Sequence, residues 1–234
     1  DKDSSLTAIF AIDQHKLNIS TTNGTVKGVG TYDYGSNVTI EIIPNSHYHF
    51  LNWLDDPTAS AKRNIVVTCD TTFKAITEID KHTITINAEN GTVTGAGTYD
   101  YGTTITLTVT PIDHYHFAQW ADGNQQNPRV VTVSGDTTYT AVIQIDQHQV
   151  VANAIHGYVD GSGMYDYGSF VTLTAQPDDG YRFVKWSNGN EFDPYVFVIE
   201  DDITIEAIFE LVTDALDEIT STAQPRKVMI NGNI

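Results

Sequence analysis

Along residues 36–43, SNVTIEII, every second side chain is apolar: Val38, Ile40 and Ile42 lie on one side of the chain, Thr39 and Glu41 on the other. A period of two is that of a strand with one buried face. TTITLTVT at 103–110 repeats the pattern with Ile105, Leu107 and Val109. Pro44 and Pro111 follow, and each ends its strand because proline donates no ladder hydrogen bond. Upstream, LNIS and TVKGVGTYDYG flank Asn23-Gly24, with Asn90-Gly91 at the matching place, and this predicts an opening hairpin. Downstream, HYHF predicts a short fourth strand, NIVVTC or RVVTVS a fifth, and TFKAITEI or TYTAVIQI a sixth. No stretch of helical length carries helical spacing and β-branched residues dominate, so each unit is expected to be almost entirely β.

The pattern is periodic on a longer scale as well. Tyr32-Asp33-Tyr34-Gly35 returns as Tyr99-Asp100-Tyr101-Gly102 and Tyr165-Asp166-Tyr167-Gly168, at offsets of 67 and 66. Pro44, Pro111 and Pro177, then Trp53, Trp120 and Trp186, then His15, His82 and His148 keep the same offsets. The extra residue of the first copy falls between Trp53 and Asp70, in a loop. Repeat one is therefore expected at 15–81, repeat two at 82–147 and repeat three at 148–211. DSSLTAIFAID at 3–13 matches DTTFKAITEID at 70–80, so residues 1–14 read as the last strand of a preceding repeat, in a chain cut from something longer. Residues 212–234 are a different segment, a linker followed by one strand and a turn.

Charge narrows the partners. The 234 residues carry 12 Lys and Arg against 30 Asp and Glu, a formal charge of −18. Such a field repels phosphate backbones and anionic membranes, so nucleic acid is not an expected partner. No apolar run is long enough to span a bilayer, and no direct membrane insertion is expected. Cys69 is the single cysteine, which excludes an intramolecular disulfide. The chain opens DKDSS, without Met or a basic and apolar leader, as a mature or trimmed fragment does.

Candidate chemistry centres on HYHF. On a strand His47 and His49 share a face roughly 6.6 Å apart, within reach of one zinc ion. His114 and His116 repeat the pair, but repeat three has Gly180-Tyr181-Arg182-Phe183. The scaffold thus needs Tyr and Phe on one buried face and tolerates His or Arg between them. His49, His116 and Arg182 are expected to face water, and no metal, cofactor or catalytic group is expected. His15, His82 and His148 each follow an aspartate by two residues, Asp13, Asp80 and Asp146, where one repeat passes into the next. No Ser or Cys nucleophile recurs beside them. An Asp to His hydrogen bond that fixes the angle between neighbours is the expected role, tuned by protonation near the reference pKa of about 6.5. Trp53, Trp120 and Trp186 are assigned to the core with Tyr48, Phe50, Tyr115, Phe117, Tyr181 and Phe183, because so small a β unit has little other core material. Tyr32, Tyr34, Tyr99, Tyr101, Tyr165 and Tyr167 are the candidate ligand-facing aromatics, on which a glycan could stack.

GTVTGAGTYDYGTTITLTVTP, the Tyr-x-Phe-x-x-Trp stretch at 115–120 and DTTYTAVI at 136–143 together resemble the divergent internalin B-type B-repeat, a bacterial repeat related to the Listeria-Bacteroides repeat. The resemblance covers all three copies and the stretch at 3–13. It implies an all-β fold of small β-grasp-like or compact β modules, strung along surface and secreted proteins, with no catalytic residues to transfer. His47 and His114 depart from the family, which usually has Gly there, so the local turn is where this chain differs. LDEITSTAQPRKVMINGNI resembles the start of the C-terminal sorting domain of Bacteroidetes secreted proteins. The resulting expectation is a monomeric, elongated, non-enzymatic repeat region outside the cell or on the outer-membrane surface, acting as spacer or adhesive stalk. Its partners would be host or microbial surface proteins or glycans. A carbohydrate- or mucin-binding module is the alternative.

Overall fold

β-branched and aromatic residues at period-two spacing form strands throughout the structure, a computed structural model that describes residues 3–213. The described residues hold 21 strands and no helix, seven strands to a repeat. Repeat one contains β1 (Gln14–Ser20), β2 (Gly24–Lys27), β3 (Gly30–Asp33), β4 (Asn37–Pro44), β5 (Tyr48–Trp53), β6 (Lys62–Val66) and β7 (Thr71–Ile79). Repeat two contains β8 (Lys81–Asn87), β9 (Gly91–Thr94), β10 (Gly97–Asp100), β11 (Thr104–Pro111), β12 (Tyr115–Trp120), β13 (Arg129–Thr132) and β14 (Thr137–Ile145). Repeat three contains β15 (Gln147–Ala154), β16 (Gly157–Asp160), β17 (Gly163–Asp166), β18 (Phe170–Pro177), β19 (Tyr181–Trp186), β20 (Tyr195–Val198) and β21 (Ile203–Leu211).

Each repeat folds as two sheets. In repeat one a four-stranded sheet, ordered β3-β1-β7-β5, packs on a three-stranded sheet, β2-β4-β6, and the later repeats keep the same orders. The first and last strands lie side by side and parallel, from Leu17 opposite Thr71 to Ser20 opposite Lys74. Their outer neighbours β3 and β5 are antiparallel to them.

The opening of each repeat differs from the hairpin expected at Asn23-Gly24. β1 pairs with β3, and β2 pairs with β4 in the other sheet. The single strand anticipated over TVKGVGTYD is broken at Gly28, which is how seven strands arise where six are expected. Gly28, Gly95 and Gly161 have φ of +89°, +97° and +107°, and a Cβ there would lie 2.6, 2.3 and 2.2 Å from the carbonyl oxygens of Thr39, Thr106 and Thr172. Only glycine has both the backbone freedom and the missing side chain that this switch between sheets requires.

The core lies between the sheets. In repeat one it gathers Leu17, Val38, Ile40, Ile42, Trp53, Val67 and Ala75, and repeat three packs the equivalent set around Trp186. Trp53, Trp120 and Trp186 are at most 1% exposed. Their indole N–H groups donate to the carbonyls of Ser60, Gln126 and Phe192 at 2.9, 2.8 and 2.9 Å, so burial leaves no orphaned donor. Phe50, Phe117 and Phe183 pack on these indoles at 5.8, 5.6 and 5.3 Å between ring centroids. Tyr48, Tyr115 and Tyr181 are half-buried at the starts of their strands.

The described chain divides into two compact units, residues 3–110 with 117–142, and residues 111–116 with 143–213. The division runs through repeat two. The junction between repeats one and two thus lies inside the first unit and that between repeats two and three inside the second. Residues 3–13, expected as a strand, carry none and are exposed throughout. The expected sorting segment lies, from residue 214 on, outside the described residues. No helix of the described residues is long and apolar enough to cross a membrane.

Candidate functional site

β7 ends at Ile79 and β8 starts at Lys81, so Asp80 alone joins repeats one and two, as Asp146 alone joins repeats two and three. One residue is too short to act as a flexible linker, and all the polar groups of these aspartates are engaged. Asp80 N donates to His47 O at 2.9 Å, its carbonyl accepts from Tyr101 N at 2.8 Å, and its carboxylate lies 2.8 Å from His49 Nδ1. Asp146 repeats the set with His114 O, Tyr167 N and His116 Nδ1 at 2.9, 2.8 and 2.7 Å.

The first histidine of each HYHF adds a second contact. His47 and His114 have φ of +65° and +66°, in the left-handed region that histidine enters more readily than most residues. From there each imidazole crosses the junction and lies flat on a tyrosine of the next repeat. His47 stacks on Tyr101 at 3.5 Å with 6° between planes, and His114 stacks on Tyr167 at 3.6 Å and 5°. His82 and His148 meet the same tyrosines edge-on, both at 6.1 Å. Each tyrosine is held by an imidazole from the preceding repeat and another from its own.

Repeat three shows what belongs to the scaffold and what to the junction. Val212 N donates to Gly180 O at 2.7 Å, so the left-handed turn and its backbone bond persist, with φ of +83° at Gly180. The side chains do not: Gly180, Arg182 and Val212 stand where the junctions have His, His and Asp, and Arg182 pairs with Glu210 of its own repeat. His49 and His116 were expected to face water, and they are exposed; their imidazoles also meet the junction aspartates, while His47 and His114 make the contact with the next repeat.

His15, His82 and His148 do not turn to the aspartate two residues before them. Their Nδ1 atoms lie 3.5, 3.5 and 3.4 Å from Asp70, Asp136 and Asp202 of the same repeat. Those carboxylates accept at 2.8 Å from the backbone N–H of Lys16, Thr83 and Gln149, which ties the turn before the last strand to the first strand. Beside each junction is an open cleft. One of about 570 Å³ is lined by His49, Asp80, Lys81, His82 and Asp136, and one of about 850 Å³ by His116, Asp146, His148, Asp166 and Asp202. Among the described residues, no three His, Cys, Asp or Glu side chains are grouped so as to hold a metal ion.

The candidate tyrosines divide into two sets. Tyr32, Tyr99 and Tyr165 are half-buried and donate through Oη to the carbonyls of Gly28, Gly95 and Gly161 at 3.3, 3.1 and 2.8 Å, so each braces the kink of its repeat. Tyr101 and Tyr167 lie under histidines, while Tyr34, the equivalent residue of repeat one, is 55% exposed.

One cluster was not anticipated. The Arg63 guanidinium lies 4.5 Å over Trp53 and 4.8 Å over Phe73, and grips Asp55 at 2.8 and 2.7 Å. Arg129 does the same over Tyr139 and Trp120, at 5.0 and 5.9 Å, with Asp122 as its partner. The Arg129 bond holds the Asp122 carboxyl below its usual pKa and raises that of the arginine. In repeat three a neutral pair replaces the ionic one, Asn188 donating to Tyr195 Oη at 3.3 Å with Tyr195 packed 6.2 Å from Trp186. The signal lay in the aligned copies, where Asp and Arg change together to Asn and Tyr.

Comparison with known proteins gives one family. The divergent InlB B-repeat domain matches residues 15–77, 82–146 and 148–213. No curated protein matches. Among solved structures, the Bacillus anthracis TIE protein is similar at 10% identity with a TM-score of 0.42, over 83% of this chain and 50% of that one. The chain thus spans about half the length of that protein.

Proposed function

The chain belongs to the divergent InlB B-repeat family, as three tandem copies, and from that premise we propose that it is a non-enzymatic spacer or adhesive stalk in a bacterial protein displayed outside the cell. The observation that carries this reading is the junction: a single connecting residue, its backbone bonded on both sides, with an imidazole of one repeat laid on a tyrosine of the next. Residues that are most specific in kind serve to hold neighbours in register. The tryptophans are interior, and five of the six candidate tyrosines are tied to a glycine carbonyl or lie under a histidine. Of these six only Tyr34 stays open to a stacking sugar, which favours the spacer over a carbohydrate-binding module built on the repeated tyrosines. The test is a glycan and surface-protein array probed with the intact chain. A pure spacer expects no specific binding and an adhesive stalk expects capture of a surface protein; capture of a defined glycan that is lost in Tyr34→Ala would replace both with the carbohydrate-binding reading.

A further inference from the structure

We propose that Leu6, Ile9, Phe10, Asp13, His15 and Tyr34 form a docking surface for the body of another repeat of this kind, one that takes residues 4–12 as its closing strand and lays a left-handed histidine on Tyr34. Half of the latch is already assembled there. The Asp13 carbonyl accepts from Tyr34 N at 2.7 Å, as Asp80 does from Tyr101, and His15 meets Tyr34 edge-on at 6.1 Å, as His82 meets Tyr101. The other half is open: Tyr34 is 55% exposed, and Asp13 is exposed with no imidazole beside it.

A second observation points to the same occupant. Leu6, Ile9 and Phe10 are 99%, 92% and 91% exposed. They lie in a stretch that aligns with β7, where Leu6 matches Phe73, a residue packed on the core of its repeat. β7 sits between a parallel β1 and an antiparallel β5, so the partner for residues 4–12 must present two strands in that arrangement. The two filled junctions specify the rest, a His-Tyr-His loop beside the slot. Repeat three of a second copy does not fit, because it offers Gly180 and Arg182, and both His-Tyr-His loops of this chain are engaged within it. The inference holds whether or not the array serves as a spacer.

The experiment extends the chain with a copy of residues 15–70 placed directly ahead of Ser4. The amides of residues 4–12 are expected to gain hydrogen-exchange protection matching that of β7, and the Tyr34 ring protons to shift upfield under the added imidazole. Changing to glycine the residue of the added copy that corresponds to His47 should leave the strand protected and abolish the Tyr34 shift. An added copy that leaves residues 4–12 unprotected, or a protected strand with an unshifted Tyr34, overturns the proposal. So does a concentration-dependent dimer of the unextended chain in which Tyr34 becomes covered, since the occupant would then be a second copy.

Discussion

Asp122 shows how one residue can make a single repeat sensitive to acid. Its carboxyl is held below the usual range chiefly by the bond from Arg129, so folding favours the ionised form. The stabilisation is complete above the unfolded-state value of about 3.9 and fades as pH falls through the lower folded-state value. Asp122→Asn is expected to lower the stability of repeat two modestly at neutral pH, where the ionised carboxylate contributes, and to flatten its acid limb so that variant and parent converge in acid, read from melts taken between about pH 2 and 7. Repeat three is the internal control, because Asn188 and Tyr195 do the equivalent work without a charge. An unchanged acid limb would show that the pair does not stabilise the fold.

Among the elements, the bend between β2 and β3, and its counterparts, is the most constrained. Gly95→Ala combines a positive φ, which costs an L residue about 1–2 kcal/mol, with a Cβ placed 2.3 Å from the Thr106 carbonyl oxygen. A loss of more than about 2 kcal/mol is expected, measured by urea denaturation, with Gly28→Ala and Gly161→Ala behaving alike. Gly102→Ala, at positive φ but with nothing near the added Cβ, should cost less. The comparison also shows what the sequence made legible. Strand positions followed from the period of two, and the repeat unit from its landmarks, because both are local patterns. The switch of sheets at Gly28 was hidden because the atom that forbids a side chain there belongs to Thr39, on a strand paired with the segment only in three dimensions. The junction contacts of the HYHF histidines were missed for a different reason. Their absence from repeat three bears on what a single repeat needs in order to fold, and says nothing of what a repeat needs in order to hold the next one. Tyr101 and Tyr167, offered as ligand-facing, are where that answer lay.

For the whole molecule, the parallel pairing of first and last strands in every repeat sets how the chain bears load. Tension enters a repeat at the start of its first strand and leaves at the end of its last. Because β1 and β7 are parallel neighbours, those two points are at opposite ends of the pair, and β8 with β14 and β15 with β21 share the arrangement. Pulling then shears the rungs from Leu17–Thr71 to Ser20–Lys74 together, where an antiparallel pair joined by a turn would be unzipped one rung at a time. Single-molecule stretching is expected to give discrete high-force events, each releasing roughly 220 Å of contour for a period of about 66 residues. Gradual low-force extension would contradict the shear geometry. The same tethering separates strength from equilibrium stability, since forced rupture follows the unfolding rate rather than the folding free energy. A repeat of modest thermal stability can therefore still resist pulling until its parallel pair shears as a unit.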